Sequence, residues 1–293
     1  MARFDGYYQA EVVEARRVTP NMVRVRFGGP ELAAWVSSGD PDERLTLAFP
    51  GPGRRIPPRP RIAGGAWHFD DSPEPEQRSY TVRRTGAGTL DVDFVVHEGG
   101  VASTWAMSAA PGDVVGLSQA GGWYRRPPGA TSVYLIGDAT ALPALGRIAE
   151  ELPADVHAHA IVEVATADDV QELRSAATLT TTWLTGSGMG LAPSRLPEAV
   201  RSLELPDDGV YVWAAAETSA TRAIRKHLRH DRGLPNSAMT VIGYWRTRKE
   251  DWLQRYEPAK PDLRRRRDAL EASGLTGQDL IEAWDQEMER AGL

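Results

Sequence analysis

The pattern of apolar residues changes character once along this 293-residue chain, at Arg125-Arg-Pro-Pro-Gly129. Before this segment, short stretches of alternating apolar and polar residues are separated by turn residues, as in antiparallel strands. After it, short apolar runs alternate with stretches of helical periodicity, which is typical of parallel strands joined by helices. A chain of this length accommodates about two domains, each with its own core. The sequence therefore predicts an all-β unit followed by an α/β unit.

The first unit is predicted to be a small closed barrel. Strands are predicted over residues 8–18, 22–27, 44–49, 77–84, 89–97 and 113–118, and a short helix over 101–109. The fourth and fifth strands are joined by Thr85-Gly-Ala-Gly88, a hairpin signal. The loop that ends near Gln77 is long, polar and rich in proline and arginine, so it is expected on the surface. Six short antiparallel strands with one helix are typical of a small barrel.

The second unit is predicted to be a five-stranded parallel sheet covered by helices on both faces. Its predicted strands are 133–136, 157–164, 180–184, 210–214 and 239–244, with helices over 142–152, 168–176, 193–203 and 218–228. Nucleotides bind such sheets at the carboxyl ends of the strands. The tail is predicted to form helices over 264–273 and 279–290, broken at Gly274, with Thr276 as N-cap of the second. An apolar stripe at Leu280, Ile281, Trp284 and Met288 indicates that the last helix docks on the protein.

Composition narrows the possible functions. The net charge of −6 gives no bulk attraction to nucleic acid or to anionic lipid, so neither is expected as a partner. The absence of cysteine excludes iron–sulfur clusters, thiol nucleophiles and disulfides, and the six histidines show no metal-site spacing. The N-terminus lacks the apolar core of a signal peptide, and no apolar run approaches the roughly 18–20 residues of a membrane span. We therefore expect a cytoplasmic protein without membrane insertion or a bound metal.

The segment Arg78-Ser79-Tyr80-Thr81 has the residue types of a flavin-binding strand. Strand alternation places Arg78 and Tyr80 on the same face, where a guanidinium can grip a diphosphate and a phenol ring can pack on a flat heterocycle. Thr81 points the other way and would reach the redox nitrogen of a flavin through its backbone N–H or at a strand bend. The structural alternative is a barrel strand with surface Arg and Tyr side chains.

A glycine turn that opens a helix follows one hairpin later, from His97 to Trp105. Gly99 and Gly100 allow close backbone approach, the helix start offers free N–H groups to an anion, and Ser103 and Thr104 add hydroxyls. Taken alone this is an ordinary turn, but next to the Arg-Tyr strand it completes a diphosphate clamp. His97 either borders the flavin ring or is an exposed residue at a strand end.

Three further segments lie at predicted carboxyl ends of strands in the second unit. Gly137-Asp-Ala-Thr-Ala-Leu-Pro143 lies where a nicotinamide or ribose would meet a flavin, but it lacks the three spaced glycines of a classical dinucleotide fingerprint. Gly186-Ser-Gly-Met-Gly190 is interpreted as a flexible loop, and Glu217 as a helix cap. Glu163 favours NADH weakly, because an acid there can bind a ribose hydroxyl. A basic mouth is predicted at Arg246, Arg248 and Lys249.

Together these segments resemble the siderophore-interacting protein family, FAD-containing ferric-siderophore reductases of the ferredoxin-reductase-like group. The resemblance runs from Tyr7 to Tyr256 and rests on the Arg78–Thr81 strand, the His97–Trp105 segment, Gly137–Pro143 and Gly243-Tyr-Trp-Arg246. It implies an FAD-binding barrel domain (1–127), an NAD(P)H-binding-like α/β domain (128–257) and a helical extension (258–293). It departs from the family pattern at Glu98 and Val101, which replace Gly and Pro, at Ala139, which replaces Glu, and at Thr46, which replaces a basic residue near Arg44.

The resemblance also implies residue roles. Tyr80, Thr81 and His97 would surround the isoalloxazine, and Asp138 and Thr140 would lie at the nicotinamide face. The expected electron-transfer residues are Tyr80, Thr81 and Asp138, and the expected cofactor set is Arg78, Ser79, Tyr80, Thr81, His97, Gly99, Gly100, Ala102, Ser103, Thr104, Asp138 and Thr140. The expected substrate set is Arg246, Arg248 and Lys249, with the loop residues Arg54, Arg55, Arg59 and Arg61 as further candidates for a basic groove.

The implied activity is reduction of a ferric siderophore with electrons from NADH or NADPH, carried through FAD. Three alternatives remain open at this point: electrons supplied by ferredoxin or another protein, a siderophore-binding protein without redox activity, and a general flavin reductase. The sequence names neither the siderophore nor the oligomeric state.

Overall fold

The computed structural model describes residues 6–51, 53–70, 73–247 and 249–293. The chain begins with a closed antiparallel barrel, as predicted. Its strands are β1 (Tyr8–Thr19), β2 (Met22–Gly28), β3 (Arg44–Ala48), β6 (Gln77–Gly86), β7 (Thr89–Val95) and β8 (Val114–Leu117), paired in the order β1-β2-β7-β6-β3-β8. A hairpin of β4 (Arg61–Ala63) and β5 (Ala66–His68) lies in the excursion before β6, and helix α1 (Val101–Ser108) follows β7.

Strand alternation explains why these residues close into a barrel. Alternate side chains of β3 and β7, such as Leu45, Leu47 and Phe94, are fully buried inside it. On the other face, Arg24 of β2 lies opposite Asp93 of β7 and donates two hydrogen bonds to its carboxylate, at 2.6 and 2.7 Å. Burial on one face and paired charges on the other fix the register of the strands.

The second unit is a parallel sheet in the order β11-β10-β9-β12-β13, also as predicted. Its elements are β9 (Ser132–Asp138), α2 (Leu142–Glu151), β10 (His157–Val164), β11 (Thr178–Thr185), α3 (Leu196–Arg201), β12 (Val210–Glu217), α4 (Thr218–Lys226) and β13 (Met239–Trp245). The inner strand β12 is apolar from Val210 to Ala216, because separate clusters of buried side chains pack on each face of the sheet. All five strands run in one direction, so their carboxyl ends lie along one edge of the sheet.

The helix predicted over 168–176 is wrong. A single 3-10 turn, Ala167–Asp169, is followed by irregular chain up to β11. Asp169 accepts hydrogen bonds from the backbone N–H and hydroxyl of Thr166, at 3.2 and 2.8 Å, in a capping box that begins this turn. The same carboxylate accepts bonds from the barrel turn, from Asn21 N at 3.0 Å and Thr19 Oγ1 at 2.9 Å. A contact between the two units therefore replaces the helix.

Buried polar contacts join the barrel to the sheet at two further points. Arg147 of α2 donates to Glu43 Oε1 at 2.8 Å and to the Val82 carbonyl at 3.1 Å. The indole of Trp213, in the centre of β12, donates to Asp42 Oδ2 at 3.0 Å. Since Asp42 and Glu43 directly precede β3, both contacts fix this barrel strand against the sheet.

Two helices form the C-terminal extension, α5 (Lys249–Ala272) and α6 (Gly277–Arg290). The break at Gly274, the N-cap position of Thr276 and the docking of the last helix are confirmed, and Met288 is buried. Helix α5 is longer than the predicted 264–273, because it continues through Pro258 and Pro261. Within the described ranges, no helix is long and apolar enough to cross a membrane.

Candidate functional site

Strand β6 presents two different faces at the centre of the site. Arg78 lies opposite Leu47 and Tyr80 opposite Leu45, so both share the face that points toward the barrel interior. The Tyr80 ring packs 4.4 Å from Phe94, and burial raises the pKa of its phenol. Arg78, at the rim, is half-exposed and forms an ion pair with Glu76. The sequence prediction that Arg78 and Tyr80 share a face is confirmed.

The outer face of β6 turns toward the sheet. Thr81 is buried there, directly opposite Arg44 of β3. The Arg44 guanidinium lies 3.8 Å from the centre of the Trp123 ring, and burial lowers its pKa. Tyr244 of β13 reaches the same place, and burial raises the pKa of its hydroxyl beside Arg44 and Thr81. This buried cluster lies between barrel and sheet.

Helix α1 begins with uncapped backbone amides. Its N-cap is Gly100, no side chain of the described residues accepts a hydrogen bond at the cap, and the first turn has no acidic residue. The preceding Gly99 has φ of +73°, a conformation that favours glycine. The free amides therefore include those of Val101, Ala102 and Ser103, whereas Thr104 N donates to the Gly100 carbonyl at 2.8 Å. A phosphate group fits such a helix start.

The hydroxyl of Ser103 has a structural role that the sequence did not reveal. It donates to the His97 carbonyl and accepts from the His97 N–H, both at 2.9 Å, and so closes the loop before α1. Ser103 would therefore contact an anion through its amide and not through its hydroxyl. His97 is exposed beyond the end of β7, and its ring lies against Gly100, where a Cβ would be only 2.3 Å from it.

Aromatic contacts bring β6 and α1 into one site. Phe94 of β7 packs against Tyr80 on one side and against Trp105 of α1 on the other, at 4.4 and 5.8 Å between ring centres. These aromatic contacts therefore connect the strand that carries Arg78 to the helix that carries the free amides. The two halves of the predicted diphosphate clamp lie in neighbouring parts of the barrel.

Asp138 lies at the carboxyl end of β9, where the sequence placed it, but its oxygens are occupied by the chain itself. Oδ1 accepts from the amide and hydroxyl of Thr140, at 2.9 and 2.6 Å. Oδ2 accepts from Glu217 N at 3.0 Å and from Trp245 Nε1 at 2.7 Å. Burial raises the pKa of Asp138. This carboxylate therefore positions the ends of three strands.

The two other acids at this edge also bind their own chain. Glu163 is buried and accepts from Ser187 Oγ and Arg195 N, both at 2.7 Å, so it anchors the glycine-rich loop 186–190. Both contacts use Oε1, whereas Oε2 is buried and has no hydrogen-bond partner among the described residues. The weak preference for NADH therefore stays a prediction. Glu217 accepts from Ser219 N and caps α4, as predicted.

The basic residues are divided between separate places. Arg246 follows β13 and stacks on Trp252 at 4.6 Å, whereas Arg248 and the side chain of Lys249 lie outside the described residues. In the loop, Arg59 forms an ion pair with Glu31 and lies 5.7 Å over the Tyr7 ring, beside β1. Strand β8 lies between β1 and β3 in the barrel, so Arg59 lies apart from the cluster around Arg44.

Sequence reasoning missed the cluster of Arg44, Trp123 and Tyr244. Tyr244 was part of a recognised motif, and Arg44 was noted near Thr46, but nothing in the sequence indicated that they meet. The one available signal is position in the chain: Trp123 lies two residues before the linker, and Tyr244 lies near the end of the last strand.

Comparison with known proteins matches both units. A family profile described as the siderophore-interacting FAD-binding domain matches residues 11–124, and one described as siderophore-interacting protein matches 130–248. The crystal structure of a siderophore utilization protein from T. fusca is 37% identical, with a TM-score of 0.75 over 83% of this chain and 94% of that one. SipS, the siderophore-interacting protein from Aeromonas hydrophila, is 29% identical, with a TM-score of 0.67 over 82% and 98%.

A curated relative has a described activity. The ferric vibriobactin reductase of Vibrio cholerae is 27% identical over 246 residues, 82% of this chain and 90% of that protein. A ferredoxin NADP+ reductase from Neisseria gonorrhoeae, at 14% identity and a TM-score of 0.59 over 82% of this chain and 99% of that one, shares the fold.

Proposed function

Because this chain belongs to the siderophore-interacting protein family, we propose that it is an FAD-dependent reductase that passes electrons from NAD(P)H to a ferric siderophore. Electrons reduce Fe(III) to Fe(II), which oxygen ligands hold far less tightly, so iron leaves without any bond of the siderophore being cut. One NAD(P)H supplies an electron pair, enough for two ferric ions, and releases one proton. Cytoplasmic location is part of the proposal.

The observation that carries this proposal is the uncapped start of α1 beside the Arg78 and Tyr80 strand. These residues fit FAD: the amides of Val101, Ala102 and Ser103, together with Arg78, suit its diphosphate. Tyr80, Thr81 and His97 would hold its ring system. When bound, FAD accepts an electron pair from a nicotinamide and passes electrons on singly.

The remaining roles belong to this chain's own side chains. Asp138 and Thr140 hold the ends of β9, β12 and β13 in place, and so shape the edge of the sheet where a nicotinamide would dock. Arg246 offers a positive charge on a protein whose net charge is −6, and so draws an anionic chelate to the end of β13. The buried cluster that contains Arg44, Thr81 and Tyr244 excludes water between barrel and sheet.

A two-step anaerobic experiment tests the proposal. The purified chain is saturated with FAD, NADH or NADPH is added, and the flavin absorption is followed. A ferric siderophore is then added with a coloured Fe(II) trap. We expect the flavin to bleach with one of the nicotinamides, and its colour to return as Fe(II) appears.

Each other outcome replaces part of the proposal. Bleaching by reduced ferredoxin alone would change the donor, and faster turnover on free flavin than on ferric chelates would indicate a general flavin reductase. A chain that takes up no FAD but still binds the siderophore would be a non-enzymatic binding protein, and the proposed activity would fail.

A further inference from the structure

A cavity of about 380 Å³ lies between the sheet domain and the extension helices. Its lining comes from α4, the end of β13, α5 and α6, between residues 218 and 288. The flavin-binding strand and the start of α1 are on the barrel, so this cavity is a different place from the candidate flavin site. A volume of this size suits a small organic molecule.

The cavity has a strong excess of positive charge. Its lining contains five arginines and one acid, Asp285, and the arginines are Arg222, Arg225, Arg246, Arg264 and Arg267. The single carboxylate is shared, since it pairs with both Arg222, at 3.3 Å, and Arg225. Arg267 pairs with Glu271 on its own helix, at 3.0 Å. Asp285 is thus the one acid among the lining residues and faces five arginines, so the lining carries an excess of positive charge.

Two of these arginines have no ion-pair partner in the part of the chain that the structure describes, namely Arg246 and Arg264. Burial, and then the neighbouring charge of Arg222, lowers the pKa of Arg246. An anion in the cavity would relieve this repulsion and accept hydrogen bonds from the unpaired guanidinium groups.

Flat rings lie beside the charges. Trp252 and Tyr256 stack at 4.5 Å with an angle of 17°, Arg246 lies 4.6 Å over Trp252, and Arg267 lies 5.4 Å over Trp284. Two buried donors on the lining residues, Trp252 Nε1 and Arg225 Nε, have no hydrogen-bond partner among the described residues. Guanidinium and indole planes stack on aromatic ligands, and unpaired donors select a ligand with acceptor atoms.

We propose that this cavity binds an aromatic carboxylate, a flat ring that carries at least one ionised acid group. The ring stacks among Trp252, Trp284 and the guanidinium planes. The carboxylate is held by Arg246 and Arg264. FAD is not part of this site, because the cavity lining shares no residue with the barrel.

Calorimetric titration with salicylate tests this site on the full chain, with and without saturating FAD. Two comparison ligands separate the parts of the proposal: salicylamide has the ring but no charge, and cyclohexanecarboxylate has the charge but no flat ring. We expect salicylate to bind about tenfold or more tightly than either, with the same affinity in the presence and absence of FAD.

Neighbouring arginines on α5 provide a matched pair of variants. Arg264→Gln removes a cavity charge, and Arg265→Gln removes an adjacent one that is 72% exposed and paired with Asp262 at 2.9 Å. We expect Arg264→Gln and Arg246→Gln each to weaken salicylate binding about tenfold, and Arg265→Gln to leave it unchanged. Thermal melting of all three shows that each is folded.

The indole N–H signals in an NMR spectrum of the wild-type chain give a second readout that needs no charge variant. Salicylate should shift the signals of Trp252 and Trp284, which are assigned through Trp252→Phe and Trp284→Phe. Equal binding of salicylamide, unchanged affinity in both glutamine variants, or no shift of these two signals would overturn the site. The arginines would then serve only to hold the extension on α4. If FAD does not bind but salicylate does, the reductase proposal fails while this site stands.

Discussion

The indole N–H of Trp245 donates a 2.7 Å hydrogen bond to Asp138, and Glu217 N donates to the same oxygen at 3.0 Å. One carboxylate therefore ties β9 to the ends of β12 and β13. In the proposed function, Asp138 is a positioning group that acts, through these strand ends, on the edge of the sheet where a nicotinamide would dock. The family resemblance places Asp138 among the expected electron-transfer residues, but it does not indicate that Asp138 holds the strand ends.

Asp138→Asn should disturb this edge. The amide has only one acceptor oxygen for four donors, so at least one buried N–H loses its partner, at a cost of about 1–3 kcal/mol. We expect a lower melting temperature, a shifted Trp245 indole signal and slower bleaching of the flavin by NAD(P)H, with FAD affinity unchanged. The exposed Asp155→Asn is the control. Wild-type bleaching with an unmoved indole signal would contradict the positioning role.

Arg78→Ala should weaken FAD binding by about 10- to 100-fold, the loss expected for charge-assisted hydrogen bonds to a diphosphate. Fluorescence titration with FAD measures this. Arg16 is a close match, since its side chain is 51% exposed and pairs with Glu14, while that of Arg78 is 41% exposed and pairs with Glu76. Equal FAD affinity in Arg78→Ala and Arg16→Ala would remove Arg78 from the cofactor site.

Arg246→Glu should raise the KM for an anionic ferric chelate about tenfold or more, because an attractive charge becomes a repulsive one. The KM for a neutral quinone should change much less, since no charge attraction is lost. Steady-state kinetics with both acceptors, compared with those of Arg265→Glu, give the answer. An equal effect on the two acceptors would show that Arg246 does not select for charge.

Asp169→Asn should loosen the barrel from the sheet. Burial alone would raise the pKa of Asp169, but hydrogen bonds from Asn21, Thr166 and Thr19 together lower it. A carboxyl with a lowered folded-state pKa stabilises the fold fully above its unfolded value of about 3.9, and loses this effect as the pH falls further.

Denaturant unfolding should therefore show a loss of about 1–3 kcal/mol for Asp169→Asn at pH 7. The difference from wild type should shrink below about pH 4. Asp168→Asn changes an exposed neighbour and should behave like wild type. A difference that is constant from pH 7 to pH 3 would exclude the carboxylate charge as its cause.

Local patterns were sufficient for the barrel and the sheet, because burial on one face forces alternation in β3, whereas burial on both faces forces a long apolar run in β12. They failed at Asp169, where hydrogen bonds to the barrel turn replace a helix. They also failed at Pro258 and Pro261, which disfavour a helix interior by about 3 kcal/mol each. There, α5 persists because Trp252 stacks on Tyr256 and Leu263 is buried in the extension core.

The candidate site likewise has some features that local sequence patterns predicted and others that they did not. The Arg78 and Gly99–Gly100 segments were recognisable because each carries its chemistry within a few neighbouring residues. The cluster of Arg44, Trp123 and Tyr244 was not, since its members come from three distant segments and meet only when the two units pack together. The hydrogen bonds to both oxygens of Asp138 and to Oε1 of Glu163 were equally hidden, because donors such as Trp245 and Ser187 come from distant segments.

Side chains from three separate elements hold the sheet against the barrel. Arg147 bonds to Glu43, Trp213 bonds to Asp42, and Asp169 bonds to Asn21. Breaking these three contacts together would expose several desolvated charges at once, so the barrel and the sheet should not separate during turnover. In the proposed reductase, donor and acceptor would then enter and leave without separation of barrel and sheet, and turnover should be insensitive to an engineered cross-link between them.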